Sequence, residues 1–144
     1  MNEVANYPSL QNKVVVISGG ASGIGASIVE HFLQQGSKVA FLDKEKNLGV
    51  ELVKNLGNLK NTLVFKHCDV TNVKELKSNI NQIREELGLI SVLVNNAAND
   101  ERHSIDSVTE EMWDDRMNIN LKHYFFAIQS VYKDMKKLAD GKII

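Results

Sequence analysis

The sequence has few of the residues that cross-link small secreted domains, and it has no long apolar segment. Its 144 residues include one cysteine, Cys68, and one proline, Pro8. A single cysteine excludes an internal disulfide, which fits a reducing compartment. No apolar run is long enough to span a bilayer, and the first residues lack the basic and apolar regions of a signal peptide. The sequence therefore predicts a cytoplasmic protein with no membrane partner.

An excess of charge of either sign is also missing. The formal net charge is −1, from 17 basic and 18 acidic residues. Without a basic excess there is no reason to expect a nucleic-acid partner. His67 and Cys68 are neighbours on a predicted strand, so their side chains point to opposite faces, and the other histidines show no ligand spacing. We therefore predict no metal site, and a single domain over residues 1–144.

What the sequence does contain is an alternation of short apolar runs with amphipathic segments. Strands are predicted at 14–18, 38–43, 62–69 and 90–96, and residues 141–144 look like the first half of a fifth strand. Helices are predicted from the glycine-rich segment to Gly36, and at 44–56, 72–88 and 109–138. Strands that are apolar on both faces and joined by helices indicate right-handed βαβ units. The expected fold is α/β, a doubly wound parallel sheet of strand order 3-2-1-4 with a stub of strand five.

Residues 18–25, SGGASGIG, lie where the first strand meets the first helix. Glycines let the backbone approach a ligand closely, and the free N–H groups of a helix start favour a pyrophosphate. A tight turn with no ligand is the alternative, but the strand before and the helix after favour a bound nucleotide. A P-loop would need lysine where the chain has Ala26, so an NTPase is not expected.

Asp43 ends the second strand, about 20 residues further on, where a dinucleotide fold holds the adenine ribose. A carboxylate there can accept from both ribose hydroxyls and would repel a 2′-phosphate. This favours NAD over NADP, and Lys44 next to it could soften the preference. The alternative is a solvated strand end or a helix N-cap.

Four motifs together resemble the classical short-chain dehydrogenase/reductase family, from about residue 10 onward. They are SGGASGIG (18–25), CDV (68–70), NNAA (95–98) and NIN (118–120). Ser18 stands where the family signature has threonine, and Ala98 stands where its Asn-Asn-Ala-Gly motif has glycine. Alanine makes a positive φ at residue 98 less favourable. The segment NNAANDERH is also similar to bacterial aldose dehydrogenases.

The resemblance implies a Rossmann-like domain that binds NAD(P) and transfers hydride between the nicotinamide and an alcohol or carbonyl group, with a sugar as one candidate. It places Asp69 beside the adenine and makes Asn120 the catalytic asparagine. The full set of cofactor-binding residues that it implies is Gly19, Ala21, Ser22, Gly23, Ile24, Gly25, Asp43, Asp69, Val70, Asn96 and Ala97.

Asn120 also draws attention by its position on the predicted long helix. It lies beside an apolar stripe at helical spacing, which we expect to face the core. The stripe consists of Trp113, Met117, Leu121, Phe125 and Ile128. A polar amide beside such a stripe must have a hydrogen-bond partner. An ordinary buried asparagine bonded to the backbone is the alternative to a catalytic role.

The family mechanism also uses a serine and a Tyr-x-x-x-Lys pair. Tyr132 and Lys136 have that spacing, but we predict that they are not the chemistry, because Tyr132 lies roughly 18 Å along the helix from Asn120 at about 1.5 Å per residue. The resemblance puts the family's serine, tyrosine and lysine after residue 144. We therefore expect a truncated, inactive dehydrogenase that would take a small alcohol, ketone or sugar only with the missing half.

A non-catalytic dinucleotide-binding protein or degenerate fragment is the alternative function. An unpaired sheet edge left by missing strands would pair with other chains. We therefore expect homo-oligomers or aggregation.

Overall fold

Five parallel strands form the centre of the molecule. The computed structural model describes residues 5–57, 59 and 62–144. The strands are β1 Val14–Ser18, β2 Lys38–Asp43, β3 Leu63–His67, β4 Val92–Asn95 and β5 Lys142–Ile143. All four pairings are parallel, and the strand order is β3-β2-β1-β4-β5. The predicted α/β fold and strand order are confirmed, and β3 and β4 are shorter than the predicted 62–69 and 90–96.

Helices connect the strands and cover both faces of the sheet. They are α1 Gly23–Gln34, α2 Lys46–Leu56, α3 Val73–Leu87, α4 Glu110–Met117 and α5 His123–Leu138, with a short 3₁₀ turn at Pro8–Leu10. A π-helical segment, Asn118–Lys122, joins α4 to α5. The helix predicted over 109–138 is therefore continuous, but its turns widen in the middle, which often marks a functional site.

The ends of the helices follow from local sequence. The Asn72 side chain accepts from the N–H of Glu75 at 3.2 Å, as the predicted N-terminal cap requires. The side chain of Thr109 caps α4 in the same way, by accepting from the N–H of Met112. Gly36, directly after the C-cap of α1, has φ +82°, a conformation that glycine adopts without strain.

Each face of the sheet carries its own core, because alternate residues of a strand point to opposite sides. Val14 and Val16 of β1 pack with α3 and α5 on one face. Val15 and Ile17 pack on the other face with Val29 of α1. This two-sided burial is why the strand sequences are apolar throughout.

The apolar stripe of the long helix does not face the core, so that prediction was wrong. Trp113 and Phe125 are each 61% exposed, Met117 and Leu121 are exposed as well, and only Ile128 packs against the core. The buried side of α5 consists of His123, Ala127, Val131, Asp134 and Met135.

Shape and pairing explain which side of α5 is buried. Ala127 and Val131 are small enough for a close approach of the helix to the sheet and α3. Asp134 on the same side meets Arg84 of α3 at 2.8 Å. Helical periodicity predicts that an apolar side exists, but it does not say which neighbour the helix will meet.

Candidate functional site

A cleft of about 540 Å³ opens at the carboxyl ends of β1, β2 and β4. The strand order reverses at this point, because β2 and β3 lie on one side of β1 and β4 lies on the other side. Open α/β sheets bind ligands at such a reversal point. The predicted cofactor residues line this cleft together, with the exception of Ala21. Ala21 is buried, and its N–H donates to Asp43 behind the cleft wall.

Glycines bring the turn between β1 and α1 down onto the end of β4. Gly19 has φ +69°, and a Cβ there would lie 2.8 Å from the Cα of Ala97. A Cβ at Gly25 would lie 1.9 Å from the carbonyl oxygen of Gly19. Both positions therefore require glycine for packing. Gly23, with φ +54°, has no atom within 4 Å of its ideal Cβ position and so leaves open space in the cleft wall.

The start of α1 presents backbone donors to the cleft. Ser22 is the N-cap of this helix, yet its side chain makes no capping hydrogen bond. The first N–H groups of a helix have no partner within the helix and carry the positive end of its dipole. Because Gly23, Ile24 and Gly25 line the cleft, this donor set fits the pyrophosphate of a dinucleotide.

Asp43 is held at the rim of the cleft by two backbone hydrogen bonds. One carboxylate oxygen accepts from the N–H of Ala21 at 2.9 Å, and the other accepts from the N–H of Glu45 at 2.9 Å. The carboxylate thus closes a local turn before α2, whose N-cap is Glu45 and not Asp43, and it also lines the cleft. Lys44 and Glu45 lie beside it in the same wall.

The segment after β3 supplies the next part of the wall. Asp69 accepts from the N–H of Thr71 at 2.9 Å and from its hydroxyl at 2.7 Å, which fixes the turn that carries Asp69 and Val70 into the cleft. Burial raises the pKa of the neighbouring Cys68 thiol to about 11, so this thiol stays protonated at neutral pH. In the part of the chain that the structure describes, no group of three or more histidine, cysteine or acidic side chains could hold a metal ion.

Ser18 joins β1 to the end of β4. Its hydroxyl oxygen accepts from the N–H groups of Asn96 and Ala97, each at 3.1 Å. The Asn96 amide donates in return to the carbonyl oxygens of Ser18, at 3.1 Å, and Gly19, at 2.8 Å. Ala98 does not have a positive φ, so alanine in place of the family's glycine causes no backbone strain.

Asn120 lies in the π-helical segment and is half-buried. Its side-chain oxygen accepts from the N–H of Asn99 at 2.8 Å, and its amide donates to the Asn99 carbonyl oxygen at 2.9 Å. The predicted need for a partner is therefore met by backbone. These two hydrogen bonds to Asn99 hold the loop at the rim of the cleft, where Asp100 and Ile119 contribute to the lining.

Sequence reasoning missed His123, the first residue of α5. It is fully buried, and it contacts Ser18, at the base of the cleft, through its ring Nε2 at 3.3 Å. Burial lowers its pKa, against the opposing effect of a hydrogen bond to the Ile119 carbonyl. A histidine directly before the largely apolar run of residues 124–128 was the available signal, because its partner lies 105 residues away.

Tyr132 and Lys136 do not line the cleft. Both lie on α5, a single helix from His123 to Leu138 with no strand before Tyr132. Tyr132 is exposed, and Lys136 lies in the last turn of the helix, where a cation complements the dipole. Their proposed lack of a catalytic role stays a prediction.

The family model of the short chain dehydrogenases matches residues 13–144. The chain belongs to this family. D-xylose 1-dehydrogenase of Caulobacter vibrioides is 43% identical over 140 residues, which cover 97% of this chain and 55% of the relative. The Rhizobium meliloti protein named "Probable galactose dehydrogenase GalD" is 36% identical over 141 residues, again 97% of this chain and 55% of the relative.

Solved structures agree with the assignment. The protein named gox2181 superimposes with a TM-score of 0.87 and 25% identity, covering 92% of this chain and 52% of its own. A short-chain dehydrogenase/reductase variant of Serratia marcescens has a TM-score of 0.84 at 24% identity, covering 89% of this chain and 52% of its own, and this likeness shows the fold. The chain spans about half the length of the relatives that it matches.

Among the described residues, no helix is long and apolar enough to cross a membrane.

Proposed function

We propose that this chain binds NAD in the cleft and is the cofactor-binding part of an oxidoreductase that transfers hydride between a nicotinamide and an alcohol or carbonyl group. One observation carries the proposal. The start of α1 turns its backbone donors into a cleft that also contains the Asp43 carboxylate. Those two groups match the pyrophosphate and the adenine ribose of a dinucleotide.

The preference for NAD over NADP rests on the charges around Asp43. The carboxylate is anchored by Ala21 and Glu45, so it cannot easily turn away from an incoming phosphate. Glu45 adds a second negative charge to this wall, and Lys44 a positive one. A ribose with free hydroxyls can donate to Asp43, whereas a 2′-phosphate would meet net repulsion.

The family resemblance supports individual roles for the other residues of the cleft. Gly19 to Gly25 would hold the pyrophosphate, Asp69 and Val70 would flank the adenine, and Asn96 and Ala97 would follow the chain of the cofactor toward the nicotinamide. When bound, the nicotinamide supplies or accepts the hydride. Asn120 would be the catalytic asparagine, which helps to hold a water in the proton relay. Its hydrogen bonds to Asn99 hold it next to Asp100 of the cleft wall, which supports this role.

A sugar is the substrate class that we propose for the whole enzyme. The relatives named D-xylose 1-dehydrogenase and "Probable galactose dehydrogenase GalD" support it, as does the similarity of residues 95–103 to aldose dehydrogenases. Asp100 lines the cleft beyond Ala98, where an acceptor of hydroxyl hydrogen bonds would suit a polyol. A non-catalytic dinucleotide-binding protein is the alternative function.

Calorimetric titration of the 144-residue chain with NAD and with NADP tests the cofactor assignment. We expect clearly tighter binding of NAD. Tighter binding of NADP would overturn the role of Asp43, and no binding of either would overturn the proposed function. A parallel assay of NADH formation with a panel of aldoses and simple alcohols should show no turnover by this chain alone, and sustained turnover would contradict the assignment of the catalytic residues.

We also propose that the chain self-associates, with a second copy covering the exposed stripe. Trp113, Met117, Leu121 and Phe125 are exposed along α4, the π-helical segment and α5. The stripe has acidic side chains at its start and basic ones at its end, namely Glu110, Glu111, Asp114 and Asp115 against Lys133, Lys136 and Lys137. Two copies packed antiparallel would bring each acidic end against the other's basic end.

The cytoplasmic location predicted from the sequence stays a prediction.

A further inference from the structure

His123 has no role in the site as described above, yet it contacts Ser18, which holds Asn96 and Ala97 of the cleft wall. The side chain is completely buried at the start of α5. Its Nδ1 lies 2.5 Å from the Ile119 carbonyl oxygen, and its Nε2 lies 3.3 Å from the Ser18 hydroxyl. The ring of Tyr124 meets it edge-on, with ring centroids 4.3 Å apart. A buried ring with both nitrogens bonded has a fixed orientation.

The hydrogen bonds around this ring determine where each proton is. A carbonyl oxygen can only accept, so Nδ1 carries the proton and donates to Ile119. In the neutral ring Nε2 is then an acceptor, and the Ser18 hydroxyl donates to it. That leaves the two lone pairs of the Ser18 oxygen for the N–H groups of Asn96 and Ala97, which both donate to it. All of the bonding capacity of Ser18 is used in this arrangement.

We propose that His123 is a positioning residue for the dinucleotide cleft: by accepting from the Ser18 hydroxyl, it orients that oxygen to hold the Asn96–Ala97 end of β4 against the glycine turn. The inference rests on the proposed dinucleotide binding. It adds that a buried residue outside the cleft lining, His123, maintains the shape of the cleft. Gly19, Asn96 and Ala97 are the cleft residues that depend on this contact.

The arrangement requires a neutral imidazole. A protonated ring would donate from both nitrogens, so the Ser18 oxygen would face three donors while its own hydrogen lost its acceptor. Burial favours the neutral ring and lowers the pKa of His123, while the Ile119 carbonyl works in the opposite direction. Among the described residues, no charged side chain contributes to this shift. The titratable neighbour in contact is Tyr124, whose hydroxyl donates to the Ala97 carbonyl oxygen at 3.3 Å.

The proposal is tested by a double-mutant cycle on NAD affinity at pH 8. His123→Phe keeps a planar ring but removes the acceptor, and it should weaken NAD binding about tenfold, the effect of leaving one buried polar group without its partner. His123→Gln restores an acceptor and should recover part of the loss. Because His123 acts through Ser18, the double variant with Ser18→Ala should bind no more weakly than Ser18→Ala alone. His31→Phe, on the exposed side of α1, is the matched control and should bind as the wild type does.

Wild-type affinity in His123→Phe, or losses that simply add in the double variant, would overturn the proposal. Nitrogen NMR of the His123 ring gives a second test that needs no cofactor, so it separates this inference from the proposed function. We expect the Nδ1–H tautomer, and an Nε2 signal that moves when Ser18 is replaced by alanine. An Nε2 signal that Ser18→Ala leaves unchanged would overturn the proposal even if His123→Phe does not fold or the chain binds no NAD.

Discussion

At the scale of single residues, the cleft depends on a few side chains that hold backbone in place. Ser18 and Asn96 fasten the end of β4 to the end of β1 through four hydrogen bonds. Asp43 fastens the glycine turn to the end of β2 through the N–H of Ala21. Because each of these contacts fixes backbone, even substitutions of similar size should change the shape of the cleft.

Asp43→Asn removes the charge and keeps the size of the side chain. We expect NAD affinity to fall about tenfold, because hydrogen bonds to a carboxylate are stronger than those to an amide. Discrimination against NADP should fall as well, since the repulsion of the 2′-phosphate is reduced. Calorimetry with both cofactors measures the two effects. Asp106→Asn, an exposed change outside the cleft, is the control. Unchanged discrimination in Asp43→Asn would contradict the role given to Asp43.

Tyr132→Phe should leave NAD binding unchanged within about twofold, as is usual for a surface substitution. The residue is exposed on α5 and does not line the cleft. The same titration checks this, with Asp43→Asn as the comparison variant whose NAD affinity is expected to fall. A loss of affinity in Tyr132→Phe comparable to that of Asp43→Asn would show that α5 reaches the cofactor in a way that the cleft geometry does not explain.

His123 should make stability depend on pH. Its pKa in the folded chain lies below the ordinary value of 6.5, so the unfolded chain binds a proton first as the pH falls. The corresponding stability is therefore fully present above pH 6.5 and is lost as the pH falls toward the folded pKa, by up to about 1.4 kcal/mol per pH unit. Urea unfolding at pH 7.5, 6.5 and 5.5 measures it.

His123→Gln lacks the titrating ring, so its stability should vary less with pH over this range. His31→Gln is the control and should keep the wild-type profile, because His31 is exposed on α1. If His123→Gln and the wild type lose stability in parallel between pH 7.5 and 5.5, then another group is responsible for the pH dependence.

At the scale of secondary-structure elements, an ion pair between α3 and α5 fixes how α5 lies on the sheet. Arg84 donates through Nε to both carboxylate oxygens of Asp134, at 2.9 and 2.8 Å, and through a second nitrogen to the Ser130 carbonyl oxygen. Asp134 also accepts from the N–H of Ile90 at 3.3 Å. The pair is largely buried on the Asp134 side. These contacts set the rotation of α5, and with it the side that is left exposed.

Asp134→Ala should destabilise the fold by about 3 kcal/mol, because it leaves Arg84 without its buried partner. Glu51→Ala, on the exposed surface of α2 and away from the stripe, is the control and should change the free energy of unfolding by less than about 0.5 kcal/mol. Denaturant unfolding at pH 7 measures both. A cost for Asp134→Ala as small as that of the control would mean that apolar packing alone fixes α5.

At the scale of the whole molecule, the sheet has one edge at β3 and the other at the two-residue strand β5. The exposed stripe runs from α4 through the π-helical segment into α5 and contains four large apolar side chains, Trp113, Met117, Leu121 and Phe125. Exposed apolar stripes of this kind mark interfaces between chains. The stripe, together with the opposite charges at its ends, is the basis of the antiparallel pairing proposed above.

Phe125→Lys should shift the chain toward the monomer, because it places a charge at the centre of the proposed interface. Ile105→Lys is the control, since Ile105 is more exposed than Phe125 but lies outside the stripe. Light scattering over a tenfold range of concentration follows the mass of each variant. A monomeric wild type, or an equal shift in both variants, would contradict an interface at the stripe.

The sequence by itself determined the order of strands and helices, the parallel sheet and the position of the glycine turn. These features depend on local properties, namely apolar periodicity, caps such as Asn72, and glycines at Gly19 and Gly23 that adopt positive φ. The same locality explains why the predicted cofactor residues other than Ala21 meet in one cleft: each lies at or soon after the carboxyl end of a strand, and parallel strands bring those ends to one edge.

Only the tertiary structure decided which side of α5 is buried and what lies beneath the cleft. Trp113 and Phe125 are more apolar than His123 and Asp134, yet the two polar residues are buried and the two aromatic ones are exposed. Burial depends on which partners the fold brings within reach. Arg84 stands opposite Asp134, and Ser18 opposite His123, in contacts that join distant segments of the chain. Hydrogen bonds between such segments form only in the assembled fold, so neither periodicity nor spacing in the sequence carries a sign of them.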